Sequence, residues 1–357
     1  MAPIKSSLAR TVGRLFGVQK DTDLSLRGDV QSSRFVNTAI EATGGTTNTD
    51  GGYKYHIYTI DTPSPERNFT VTSGTDANIE LLVVGGGGAA AFDNGGGGGA
   101  GGIAYASTLP VSAGAYAITI GPGGQGSSTF GYPGHPSGNP TRGTNSTFTH
   151  PAGTITGLGG GGPANETPNY EVDTPVPSNV YPGGSSGGGR YTYPGKSPLN
   201  IDSVAAAQPG QPNFGVGVVH YGNIGGDAHP ANFTAGGGGG AGGAGTDKTP
   251  TANGAGGPGQ PFTGFPAPAI SPGIPSPQQS AFTSAVGPTG LFGGGGGGSS
   301  EGIPGNSPGG PGGGGQGGPA VPDADGDGVY GTGGGGGSHN SAGKDGGPGI
   351  VILRYQA

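Results

Sequence analysis

Cysteine is absent from the 357 residues, so disulfides, cysteine–zinc sites and thiol nucleophiles are excluded. Stability must come from backbone hydrogen bonding, packing or association between copies. Charge is scarce too: Asp, Glu, Lys and Arg make up 10% of the chain, fewer than disordered chains usually carry. No run of 18 apolar residues occurs, so no transmembrane helix is expected. Residues 1–17 are basic but lack a continuous apolar stretch and a small-residue cleavage pattern, so a signal peptide is not expected.

What the chain has instead is glycine. The 90 glycines and 34 prolines make up about a third of it, beyond the level at which a low-complexity or fibrous class is suspected. The strict triplet period of collagen is missing. The longest runs lie at 95–99, 236–240, 293–298 and 333–337, with shorter ones at 85–88, 159–162 and 312–315. Such runs lose backbone entropy on folding and bury no side chain. Their one asset is close backbone approach. A threefold extended strand has no internal hydrogen bonds and turns its polar groups outward in three directions. Glycine strands can therefore satisfy one another. Alone, the runs read either as interior strands of a polyglycine-II-like bundle or as flexible linker. The 13 Tyr and 12 Phe, many beside the runs, favour order.

Apolar strands lead into the runs. Tyr53, Tyr55, Ile57 and Ile60 alternate with polar residues, and Phe69–Thr72 and Ile79–Val84 follow after turn residues. The last of these enters the run at 85. The strands Tyr116–Ile120 and Thr154–Thr156 repeat this transition. Ile350–Tyr355 is a closing strand expected to return to the first β unit. Pro308 with Pro311, and Gln316 with Pro319, sit three apart, as expected if each pair marks one exposed face of a threefold strand. The expected fold is therefore mainly β: a small antiparallel β unit plus a glycine bundle with long loops. The expected organisation is an N-terminal segment over 1–36, a β base over 37–84 joined by 349–355, and a glycine-rich domain over 85–357.

Net charge is −7 and unevenly placed. In residues 1–36, Lys5, Arg10, Arg14, Lys20, Arg27 and Arg34 face Asp21, Asp23 and Asp29, giving +3 there and −10 beyond. Ile4, Leu8, Val12, Leu15 and Phe16 recur at helical spacing, with Arg10 and Arg14 elsewhere on the wheel. This short helix, or extended segment, needs a partner surface. Membrane-surface binding, nucleic-acid binding and docking on an assembly compete for it. An acidic, glycine-rich body argues against nucleic acid, and the runs lack the Lys-Ser/Thr of a phosphate loop.

The strand–glycine transitions at Leu81–Gly88 and Tyr116–Gly124 and the ending Gly347–Tyr355 resemble the glycine-rich domain of phage tail-fibre and other virion proteins. The opening Met1–Arg10 with Asp23–Gly28 resembles a leader on structural proteins of marine and cyanobacterial phages. The resemblance implies a virion appendage on the particle exterior, with an anchoring N-terminus and a receptor-facing glycine body. Implied partners are a tail adaptor, fibre or capsid protein on one side and a host-surface glycan or protein on the other. A homo-oligomer is expected, with a trimer as the named candidate. The alternative is a capsid-bound head fibre or decoration protein without a receptor. A polysaccharide depolymerase ranks last.

Candidate receptor contacts are the aromatics of the glycine-poor inserts: Tyr170, Tyr181, Tyr191, Tyr193, Tyr221, Phe233 and Phe265. Flat rings stack on sugar faces, and Tyr adds a hydroxyl; the competing role for them is to cover the bundle sides. Asp323, Asp325 and Asp327 alternate as at the start of a calcium loop, but position twelve is Gly334 rather than Glu. They are a weak calcium candidate against a solvated acidic turn. Glu166, Glu171 and Asp173 share one insert and read as loop charges rather than a glycosidase pair. No catalytic constellation is expected. His56 is assigned to the β unit.

Overall fold

The computed structural model describes residues 40–64, 66–74, 77–91, 95–126, 140–163, 183–191, 200–201, 217–228, 235–299, 305–319, 326–340 and 342–357. The segment 1–36, with Ile4, Leu8, Arg10, Val12, Arg14, Leu15 and Phe16, lies outside them.

Strands in chain order are β1 (Glu41–Thr43), β2 (Thr46–Asp50), β3 (Tyr53–Tyr58), β4 (Asn68–Ser73), β5 (Ala77–Val84), β6 (Ile103–Val111), β7 (Gly114–Thr119), β8 (Ser146–His150) and β9 (Gly153–Gly157). They continue with β10 (Arg190–Tyr191), β11 (Asn200–Ile201), β12 (Val218–Tyr221), β13 (Gln260–Pro261), β14 (Leu291–Phe292) and β15 (Ile350–Gln356). A six-stranded sheet has the order β12-β6-β5-β15-β3-β2, and a five-stranded sheet the order β1-β4-β7-β8-β9. Two short ribbons, β10-β11 and β13-β14, complete the set. Every pairing is antiparallel.

β15 lies between β3 and β5, with Ile352 opposite both Ile57 and Leu82. The closing strand thus sits in the middle of the larger sheet. Its alternation serves two cores. Val351, Leu353 and Tyr355 join Leu81, Val83, Phe69, Tyr116, Phe148 and Ile155 between the two sheets. Ile350 and Ile352 join Ile57, Leu82 and Val84 on the opposite face. Burial on both faces explains the unbroken apolar runs of β5 and β15.

The opposite face is covered by part of the 246–292 insert, which composition marks as a long loop. It instead contains α1 (Ala267–Ile270), a 3₁₀ turn (Ser271–Gly273) and α2 (Ser276–Val286). Proline at the first turn of α2 supplies a helical φ at no hydrogen-bond cost. Gly287, at φ 58°, ends it. Phe282 and Val286, four apart, bury one face. With only these two apolar anchors, α2 leaves almost no helical periodicity in the sequence.

A partly buried polar network fixes this insert. Arg354 Nε meets Glu80 Oε2 at 2.5 Å, and Tyr105 Oη donates to Glu80 Oε1 at 2.6 Å. The guanidinium lies 4.4 Å from the Tyr53 ring centre and 5.4 Å from that of Phe265. Tyr55 Oη donates to the Gly264 carbonyl at 3.1 Å. Removing one partner of a mostly buried pair strands the other charge. Arg354→Ala is expected to destabilise the protein by about 3 kcal/mol, read by chemical denaturation. Arg354→Met combined with Glu80→Leu should recover part of that loss, as a double-mutant cycle would measure.

Beyond the sheets, the glycine segments form a lattice of backbone. Consider residues 85–91. Gly85 and Gly88 donate to Gly102 and Gly99, Gly86 and Ala89 to Thr144 and Thr141, and Gly87 and Ala90 to Gly347 and Lys344. The donor partner repeats every third residue. The carbonyls of Gly86, Gly87 and Gly88 accept from Gly160, Gly124 and Gly336, on three further segments. A β-strand has neighbours only in the plane of its sheet; this segment is surrounded. Residues 85–91 and 95–102 are wholly buried. A Cβ at Gly85, Gly86, Gly87 or Gly88 would overlap the carbonyl of Leu158, Pro122, Gly334 or Gly161. Close approach, rather than chain flexibility, is what glycine supplies here.

Candidate functional site

The sheets give the lattice a direction. β5, β7, β9, β12 and β14 run into the outbound segments 85–91, 121–126, 158–163, 222–228 and 293–299. β6, β8, β13 and β15 begin where the inbound segments 95–102, 140–145, 254–259 and 342–349 end. The antiparallel contacts of 85–91 with 95–102, and of 293–299 with 235–241, agree with this polarity. The chain therefore leaves and re-enters the lattice at the end distal to the sheets. It does so on either side of residues 92–94, 127–139, 229–234, 300–304, 320–325 and 341. These connecting residues lie outside the described set.

The described distal rim is polar. The Asp345 carboxylate accepts from Gly126 N–H at 2.6 Å, and Asp327 accepts from Asp345 N–H at 3.0 Å. Asp247 accepts from Asp227 N–H at 2.8 Å. Thr141 Oγ1 accepts from Gln125 N–H at 2.7 Å and Thr246 Oγ1 from Ala255 N–H at 2.6 Å. Ser299 Oγ donates to Asn340 Oδ1 at 2.8 Å. These side chains tie the ends of neighbouring segments together, and carboxylate and hydroxyl oxygens can accept more than one hydrogen bond. Carboxylates, hydroxyls and amides spread over a rigid rim can hydrogen-bond polyols or peptide groups.

Two of the aromatic candidates, Phe265 and Tyr221, fall elsewhere. Phe265 is fully buried and packs edge-on to Tyr105 at 6.5 Å. It pins the helical insert to the larger sheet and offers no surface to a receptor. Its chain neighbourhood, rich in Pro and Gly, hid that it belongs to a core. Tyr221 is half-buried on β12 and packs edge-on to Phe262 at 5.4 Å, beside the sheet rather than at the distal rim. Tyr191 lies on β10, opposite Asn200 of β11. Tyr170, Tyr181, Tyr193 and Phe233 lie outside the described residues, as do Asp323, Asp325, Glu166, Glu171 and Asp173. Asp327 is exposed. Among the described residues no three His, Cys, Asp or Glu side chains gather as a metal set. The rim residues Thr141, Thr246, Asp247 and Asp345 carry no motif. Only their position at the ends of glycine segments could have marked them.

A cavity of about 290 Å³ lies at the base, lined by Thr46, Thr59, Asp61, Thr62, Glu66 and Ile274 among others. Asp61 Oδ2 accepts from Tyr330 Oη at 2.6 Å. Burial and that bond push the Tyr330 phenol up to about 12. The cavity sits at the lattice-facing end of β2 and β3, beside Tyr330, and is separate from the distal rim.

Fold and rim together define a protein with a layered β base carrying a glycine lattice, many of whose described segments end at a polar rim away from the sheets. The chain belongs to the glycine-rich domain family, whose model matches residues 62–356. No curated protein matches it. Among the described residues no helix is long and apolar enough to cross a membrane.

Proposed function

We propose that this chain is a fibre or adhesin of a phage virion, anchored through residues 1–36, whose lattice is of the polyglycine-II type and presents its distal connections to a host-surface glycan or protein. The observation that carries this reading is that successive described segments end at the polar lattice rim remote from the β base. A rigid spacer suits a surface-recognition module, because loops beyond its ends can carry binding residues without disturbing it. The resemblance of the opening residues to virion leaders supports the anchoring role. Binding, rather than catalysis, suits a rim of dispersed hydroxyls and carboxylates. Affinity would come from many weak contacts multiplied by copy number on the particle.

Purified protein is expected to bind host cells saturably and to compete with infection. Indifference in both assays overturns the receptor reading. Labelled antibody on intact virions is expected to mark tail appendages. Label confined to the head shell would instead favour a decoration protein.

A further inference from the structure

Every lattice segment at the side of the bundle faces a physical problem. Its outward backbone N–H groups match the spacing of another glycine strand, just as a free β edge matches another strand. Five prolines stand at these places. Pro122, Pro258, Pro308 and Pro311 are exposed and Pro348 is half-buried. Their own carbonyls are occupied within the lattice, accepting from Thr144, Gly242, Gly256, Gly259 and Gly333.

The preceding residue fixes where the missing N–H would point. In a trans peptide the carbonyl of one residue and the N–H of the next point in opposite directions. The Gly257 carbonyl accepts from Gly295, and the Gly347 carbonyl from Gly87, both on buried segments. The Gly121, Ser307 and Gly310 carbonyls accept from Gly349, Gly317 and Gly314. At each peptide the carbonyl is used against a lattice neighbour, so the nitrogen of the proline faces the other way. At Pro258 and Pro348 that direction is away from the bundle interior. Proline removes the donor there. Toward the distal rim, side chains take the exposed N–H groups instead: Asp345 at Gly126, Thr141 at Gln125 and Asp247 at Asp227.

We infer that the sides of the glycine lattice are latent docking surfaces for the glycine strand of a second copy, held closed by proline at 122, 258, 308, 311 and 348 and by side-chain caps. The inference is independent of any receptor. Copies of the chain then meet through parts other than the lattice sides, and the lattice stays finite.

The test replaces all five prolines by alanine in the full chain. Alanine keeps the Cβ, which already has room, and restores only the N–H. Sedimentation velocity across a concentration series is expected to show species larger than those of the wild type, at concentrations at least tenfold lower. Pro277→Ala, on α2, serves as the control and should leave association unchanged. Equal association for the five-fold variant and the wild type overturns the inference. The milder Pro308→Ala/Pro311→Ala variant gives a second readout by amide hydrogen exchange under dilute conditions. Its two new amides are expected to exchange at least a hundredfold faster than those of residues 85–90. Protection comparable to theirs would place the nitrogens inside the lattice and overturn the inference on its own.

Discussion

Gly97→Ala is expected to cost about 4 kcal/mol, a large share of the stability of an ordinary domain. The Gly97 amide donates to Gly236 at 3.2 Å and its carbonyl accepts from Gly188 at 2.8 Å. An added Cβ would overlap the carbonyl of Gly296 and lie 3.0 Å from Gly238 N. Three segments would have to part to admit one methyl group. Each parted segment would leave buried donors without partners, and a buried unsatisfied group costs ~1–3 kcal/mol. Gly217→Ala is the matched control, since nothing lies within 4 Å of its Cβ position. At that site reduced freedom of the unfolded chain should stabilise by up to ~1 kcal/mol. Denaturant midpoints of both variants, compared with the wild type, check the pair. Equal midpoints would mean that the glycine segments act as linkers.

Acidification should destabilise the base through His56. The ring is fully buried in β3 between Tyr355 and Phe69. Its Nδ1–H donates to the Gly44 carbonyl at 2.7 Å, and its Nε2 accepts from Tyr355 Oη at 3.0 Å. Both bonds suit the neutral ring. Burial, partly opposed by the Gly44 bond, lowers its pKa from 6.5 to about 4. The unfolded chain therefore binds a proton that the native state refuses. The contribution is fully present above pH 6.5 and is lost as the pH falls toward 4, reaching about 3 kcal/mol. His56→Gln, which can retain a hydrogen bond without titrating, should be less stable at pH 7 but lose less between pH 6.5 and 4. An unchanged slope would assign the acid sensitivity to other groups.

Much of the base was legible in the sequence. The alternation of Tyr53 to Tyr58 and the apolar run at Ile350–Leu353 marked β3 and β15, because burial on one or both sheet faces writes itself into residue type. Pro308 and Pro311, expected to share an exposed face, are both exposed. The helical insert was not legible. Its apolar side chains are sparse, and its prolines initiate helices rather than break them. Glycine has no side chain, so a run records that backbones meet but not which ones. The partners of 85–91 could not be read for that reason. The aromatic ring of Phe265 was equally ambiguous, since a phenylalanine looks the same over a sugar or over Arg354.

The position of β15 has a consequence for biosynthesis. Tyr355 bonds to His56 across 299 residues. At ~5–20 residues per second, the ribosome takes on the order of 15–60 s to make that interval. Throughout this time β3 and β5 lack the strand that joins them, and each offers an open edge to other nascent chains. The central sheet cannot close until Ile350–Gln356 has been made. Yield in a heterologous host should therefore depend on chaperone supply and growth temperature more than on the equilibrium stability of the finished protein.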